Sequence, residues 1–129
     1  MILNNIAILA ADTSRTRYYL KQLISNSMLP SYAILLLNGN DALLPGQNHK
    51  NNKIELIKLI EKNNIPYEIA PSLDINSNEI VSLLSRRKEE VFIFSGFGGV
   101  ILGENILNTN KKFLHVHGGY LPDYKGSTT

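Results

Sequence analysis

The sequence predicts an α/β protein built on a mostly parallel sheet, and three observations carry that reading. Short, continuously apolar runs at residues 6–11, 33–37 and 91–94 recur along the chain, as strands buried on both faces require. Between them lie longer stretches whose apolar residues fall at helical spacing. The two kinds of segment alternate, which is the pattern of crossover units and not of hairpins.

Taken in order, the first run ends at Asp12, Thr13 and Ser14, whose side-chain oxygens can cap a helix. That helix is expected over about residues 15–27, with Tyr19, Leu20, Leu23 and Ile24 facing the core and Pro30 closing it. Residues 32–37 form a second buried strand, ended by Asn38, Gly39 and Asn40. Residues 41–52 are polar, hold Pro45 and Gly46, and read as a long loop. Ile54, Leu56, Ile57, Leu59 and Ile60 mark a second helix that ends near Asn63 and Asn64. A short strand over 66–70 follows, then a turn-rich stretch and a third helix over about 77–87. Residues 91–94 run into Ser95, Gly96, Phe97, Gly98 and Gly99, and a helical turn at 104–107 leads to a last strand, 112–117.

This order predicts a Rossmann-like, mostly parallel sheet with helices on both faces, in a single domain over residues 1–129. In such sheets ligands bind beyond the carboxyl ends of the strands. Residues 11–13, 38–40, 95–99 and 115–119 are therefore expected on the ligand side.

Composition narrows the function. A hydrophobic share of 43% with 19% charged residues is that of a globular domain. A formal net charge of +2 is too small to argue for a membrane surface, or for nucleic acid beyond a tRNA acceptor. The densest basic run, Arg86, Arg87 and Lys88, is followed by Glu89 and Glu90 and reads as a solvated helix end. Without cysteine there is no disulfide frame and no thiol nucleophile. No apolar run is long enough to span a bilayer and the start is unlike a signal peptide, so a cytoplasmic protein is expected.

Two constellations can carry chemistry. The Gly96–Phe97–Gly98–Gly99 stretch is a poor dinucleotide fingerprint, because the glycine spacing is incomplete and the first strand ends without glycine. It reads either as a tight turn or as a loop whose bare backbone lets a flat ligand approach. The second constellation closes the last strand. Side chains two apart on a strand share a face, so Phe113, His115 and His117 line one side and Leu114 and Val116 the other. Two imidazoles beside the crevice suit a general base and a hydrogen-bond donor. They also suit a polar strand end; a metal pair is the weaker reading, since no third ligand is identifiable, His49 being remote.

Together these residues resemble the folate-dependent formyltransferases, the family of glycinamide-ribonucleotide, methionyl-tRNA and sugar-amine N-formyltransferases. Gly96 and Phe97 are followed by His115-Val116-His117 and then Leu121-Pro122-Asp123-Tyr124-Lys125-Gly126. The family shows a Gly-Phe loop, Asn-x-His, and Leu-Pro-x-Tyr-x-Gly in that order. The resemblance implies formyl transfer from 10-formyltetrahydrofolate to a primary amine of a small amine, an amino sugar or an aminoacyl-tRNA. It implies folate held by main-chain groups of Phe97, Gly98, Gly99, Val100 and Ile101, with His117 at the reacting centre. His115 would stand for the family's oxyanion donor, and Gly118, Gly119, Tyr120 and Lys125 would border the acceptor.

Two departures accompany the likeness. His115 replaces an asparagine, and the family's later aspartate has no counterpart in the twelve residues after His117. The chain is thus expected to be part of a longer protein, inactive alone. The alternative is an α/β folate- or small-molecule-binding domain that has lost the chemistry.

Overall fold

The computed structural model of the chain describes residues 2–37, 51–96 and 101–115. The described chain order is β1 (Ile2–Ala11), α1 (Ser14–Ser25), β2 (Leu29–Leu36), α2 (Asn51–Lys62), β3 (Tyr67–Ile69), α3 (Asn78–Arg86), β4 (Val91–Ser95), α4 (Glu104–Leu107) and β5 (Lys112–His115). The strands form one sheet in the order β3-β2-β1-β4-β5, and every pairing is parallel. The expected α/β architecture is present.

Alternation along the strands divides the core between the two faces. Ile8 and Ala10 of β1, Ala33 and Leu35 of β2 and Ile93 of β4 point to one side, where Leu20 of α1 and Leu56 and Ile60 of α2 cover them. Ala7, Leu9, Ile34, Leu36, Phe92 and Phe94 point to the other, beneath Ile80, Leu83 and Leu84 of α3 and Ile106 of α4. Fully burying a side chain of the Leu, Ile or Phe kind stabilises by about 1.5–3 kcal/mol relative to leaving it exposed. Two covered faces explain why the strands read as unbroken apolar runs.

Local chemistry sets the helix ends. Thr13 caps α1, its hydroxyl accepting from the Thr16 N–H, and Ser77 caps α3 by accepting from the Ile80 N–H. Pro30 does not close the first helix. The chain leaves α1 at Asn26 and Ser27, whose N–H groups return to carbonyls of the last turn, and Ser27 takes the left-handed conformation at φ 60°. Pro30 instead lies buried near the start of β2, paired with Leu3 where the register shifts. β1 begins at Ile2, earlier than expected, because its first residues reach the start of β2. Asn51 and Asn52 belong to α2 and not to the preceding loop; Asn64, at φ 58°, turns the chain beyond that helix.

Of the basic run at the end of α3, Arg86 and Lys88 are exposed as a solvated helix end would be, but Arg87 is not free in solvent. Arg87 donates Nε and Nη2 to the Glu89 carboxylate at 3.0 and 3.1 Å, and the Glu89 side chain has 0% exposure. Ser31 donates to the same carboxylate at 2.8 Å. The Arg87 guanidinium stacks 3.5 Å over the ring of Tyr32, and the Tyr32 hydroxyl donates to Glu68 at 2.6 Å. Lys111 Nζ donates to the Arg87 and Glu89 carbonyls, both at 2.7 Å. This network joins the entries to β2, β4 and β5 at the edge of the sheet away from the expected ligand side.

Among the described residues, no helix is long and apolar enough to cross a membrane.

Candidate site at the carboxyl edge of the sheet

The strand order places a topological switch at β1. The chain steps from β1 to β2 and β3 on one side, then crosses to the other side of β1 for β4 and β5. The crevice beyond the carboxyl ends of β1 and β4 is the place where such sheets bind ligands.

Polar groups converge there. Ser95, the last residue of β4, and Thr16, in the first turn of α1, are both buried. Their hydroxyls lie 2.7 Å apart, and Thr16 also donates to the Ser95 carbonyl at 3.3 Å. These bonds fix the end of β4 against the start of α1. Arg15, beside them, donates Nη2 to the Gly96 carbonyl at 2.8 Å, while its buried Nε has no hydrogen-bond partner among the described residues. Asp12, at the end of β1, is held by Arg17 at 2.5 Å.

The glycine that follows β4 has a steric reason. A Cβ on Gly96 would collide with the ring of Phe94, which is itself buried. On the far side of residues 97–100 the main chain is tethered by Asn76, from the segment between β3 and α3. Its Nδ2 donates to the Ile101 carbonyl at 3.0 Å, and its Oδ1 accepts from the Gly103 N–H at 2.6 Å. Residues 96 and 101 are thus pinned by side chains from two different connections. That arrangement suits recognition by main-chain groups, which need a backbone held in place before a ligand arrives.

Of the histidines singled out from the sequence, His115 ends β5 as described. It pairs in register with Phe94, and the two rings meet edge to face with centroids 5.6 Å apart. Phe113 packs into the core on that same side, so the expected sharing of a face by Phe113 and His115 holds. The ring of Phe94 therefore stands next to both Gly96 and His115.

Several expected site residues fall outside the described residues: Phe97, Gly98, Gly99, Val100, His117, Gly118, Gly119, Tyr120 and Lys125. Ile101 is described and exposed. Among the described residues no three His, Cys, Asp or Glu side chains gather as a metal site would need.

The sequence reading missed Arg15, Thr16 and Asn76. Arg15 and Thr16 carried a usable signal, because they open the helix that follows the first strand at the ligand edge. Asn76 carried none beyond turn chemistry; its partners are 25 and 27 residues away.

No protein-family model matches the chain, and no curated protein matches it. A solved structure does: phosphoribosylglycinamide formyltransferase from Anaplasma phagocytophilum, with a TM-score of 0.58 at 15% sequence identity. The match covers 95% of this chain and 53% of that one, so the chain spans about half the length of the enzyme it resembles. At this identity the likeness is one of fold. The chain has a formyltransferase-like α/β fold, with a sheet of five parallel strands among the described residues.

Proposed function

We propose that this chain is the donor-binding part of a formyltransferase that acts on a primary amine, with 10-formyltetrahydrofolate as the formyl source. One observation carries the reading. Within a formyltransferase-like fold, β4 and β5 are adjacent and parallel, so the Gly96 end and the His115 end of the two-part motif are neighbours at one sheet edge.

The residues present fit a flat donor. Gly96 leaves no room for a side chain beside Phe94, and Arg15 and Asn76 hold the flanking main chain. The donor supplies an electrophilic formyl carbon. His117 is assigned the proton transfer from the attacking amine, worth roughly 100- to 10,000-fold for a positioned base. His115 is assigned the donor role towards the developing oxyanion, worth roughly 100- to 1,000-fold. An imidazole N–H donates a hydrogen bond there only in the correct tautomer or when the ring is protonated. Gly118, Gly119, Tyr120 and Lys125 are assigned to the acceptor, a small amine or amino sugar in preference to an aminoacyl-tRNA, given the modest net charge of +2.

Titrating 5-formyltetrahydrofolate should give saturable binding that weakens in Gly98→Leu. A folded protein that binds none overturns the proposal. If the protein also deformylates 10-formyltetrahydrofolate, His117→Ala should slow the reaction; an unchanged rate removes His117 from its role.

A second reading, a binding domain without the chemistry, draws on His115 itself. Its ring lies edge-on to Phe94, where the family pattern has an asparagine amide. His115→Asn separates the two. A gain in turnover favours the enzyme, whereas folate binding without turnover in either form favours the binding domain.

A further inference from the structure

α1 and α2 lie side by side on one face of the sheet, and a groove of about 250 Å³ opens on their outer surface, lined by Arg17, Lys21, Glu55, Lys58, Leu59 and Lys62. Four of these six side chains are cationic and one is anionic. Arg17 and Lys21 are one helical turn apart on α1, and Lys58 and Lys62 are one turn apart on α2, so each pair stands on one flank. Arg17 is engaged by Asp12. Among the described residues, Lys21, Lys58 and Lys62 have no ion-pair partner, and all three are exposed. With Arg17 taken up by Asp12, three lysines face the single carboxylate of Glu55, and a bound anion would relieve the repulsion left by that excess of positive charge.

We propose that this groove binds a compact polyanion with two or more phosphate groups, such as an inorganic polyphosphate or the phosphate chain of a nucleotide. Size and charge limits favour that class over an extended polymer. Cations one turn apart are about 6 Å apart along a helix, on the scale of the first and third phosphates of a tripolyphosphate or the outer oxygens of a diphosphate. The basic track does not continue along α1, whose other exposed side chains are Ser14, Tyr18, Gln22 and Ser25, and Glu61 adjoins Lys62 on α2. A nucleic-acid backbone would require such a continuation. Of the groove's lining residues only Arg17 reaches the crevice beyond β1 and β4, through its bond to Asp12; Lys21, Lys58 and Lys62 take no part in the contacts described there, so binding by the lysines is testable apart from the formyl-transfer reading.

Calorimetric titration with inorganic tripolyphosphate tests the proposal. At low salt, one saturable site is expected, at least tenfold weaker in a Lys21→Gln/Lys58→Gln double variant and unchanged in Lys112→Gln, which removes an exposed lysine of β5. Circular dichroism checks that the variants keep the fold. Competition by ATP identifies the nucleotide chain as a ligand source; binding of tripolyphosphate without such competition leaves the inorganic chain. The proposal is overturned by absence of saturable binding, by an equal loss in Lys112→Gln, or by a single-stranded oligonucleotide that binds more tightly as it lengthens.

Discussion

At the edge of the sheet where β4 begins, the Glu89 carboxylate takes two bonds from Arg87 and one from Ser31 and shows no surface to water. At the opposite edge, where β4 ends, Arg15 gives one bond to the Gly96 carbonyl and keeps a buried Nε without a partner among the described residues. The five residues of β4 thus connect a saturated polar network to an unsaturated one. A satisfied network rigidifies the fold, whereas an unmet buried donor is a cost that calls for an explanation, a water or bound group among them. On the formyl-transfer reading proposed above, the contrast would set a stabilising end of β4 against a ligand-binding one, and substitutions at each end should show it.

The largest effect is expected at Glu89. Burial alone would raise its pKa, but the hydrogen bonds from Arg87 and Ser31 outweigh burial and hold it below the ordinary 4.5. The stabilisation this represents is present above the unfolded-state value and is lost as pH falls through the folded one. Glu89→Ala should cost about 3 kcal/mol, the low end for breaking a buried pair, because Arg87 retains 24% side-chain exposure and can turn to water. Urea denaturation at pH 7 and at pH 3 measures both effects; the gap between wild type and variant should shrink at the lower pH. A loss well below 1 kcal/mol would mean that this edge is no firmer than the other.

Gly96→Ala should come next, at about 1–3 kcal/mol, because the added methyl must displace the buried Phe94 ring. The same shift would disturb His115, which packs on that ring. Folate binding, if present, should therefore fall by more than the stability loss alone explains. Equal binding by a folded Gly96→Ala protein would detach the Phe94 ring from the site.

Asn76→Ala removes both tethers beyond the loop, at 2.6 and 3.0 Å. Each is a neutral hydrogen bond at an exposed or half-buried position, so about 1 kcal/mol in total is expected. Here the comparison sharpens: a modest change in stability should accompany a clear loss of folate affinity, read by the same titration. Stability lost with affinity unchanged would make Asn76 structural only.

The contrast between the edges also explains what could be read in advance. The buried strands were legible because a sheet covered on both faces demands uninterrupted apolar runs, and Ile8, Leu9, Phe92 and Phe94 supply them. The capping of α1 was legible because Thr13 acts on a residue three positions away. Arg87 and Glu89 were misread because their burial is decided by Ser31 and Tyr32 on another strand, 58 residues from Glu89 in the case of Ser31. Pro30 was misread for a related reason: Ser27 had already turned the chain, so the proline was left to begin a strand. The motif that suggested formyl transfer was legible as spacing. That spacing did not include Arg15, whose only mark is its place at the start of the helix after β1, or Asn76, whose main-chain partners lie 25 and 27 residues away.

The smallest expected effect lies at Tyr32 and appears at high pH. Burial, followed by the hydrogen bond to Glu68, pushes its pKa from 10.0 up to about 12. Because the neutral hydroxyl is the form the folded state favours, this contribution is fully present below pH 10 and is lost as pH rises through about 12. The ring is only half-buried, so solvent screening keeps the change small. Tyr32→Phe keeps the surface on which Arg87 stacks and deletes only the hydroxyl. The variant should be slightly less stable than wild type at pH 8 and equal to it, or more stable, near pH 12. Parallel stability curves across that range would place the titrating group elsewhere and leave Tyr32 as a platform for Arg87 alone.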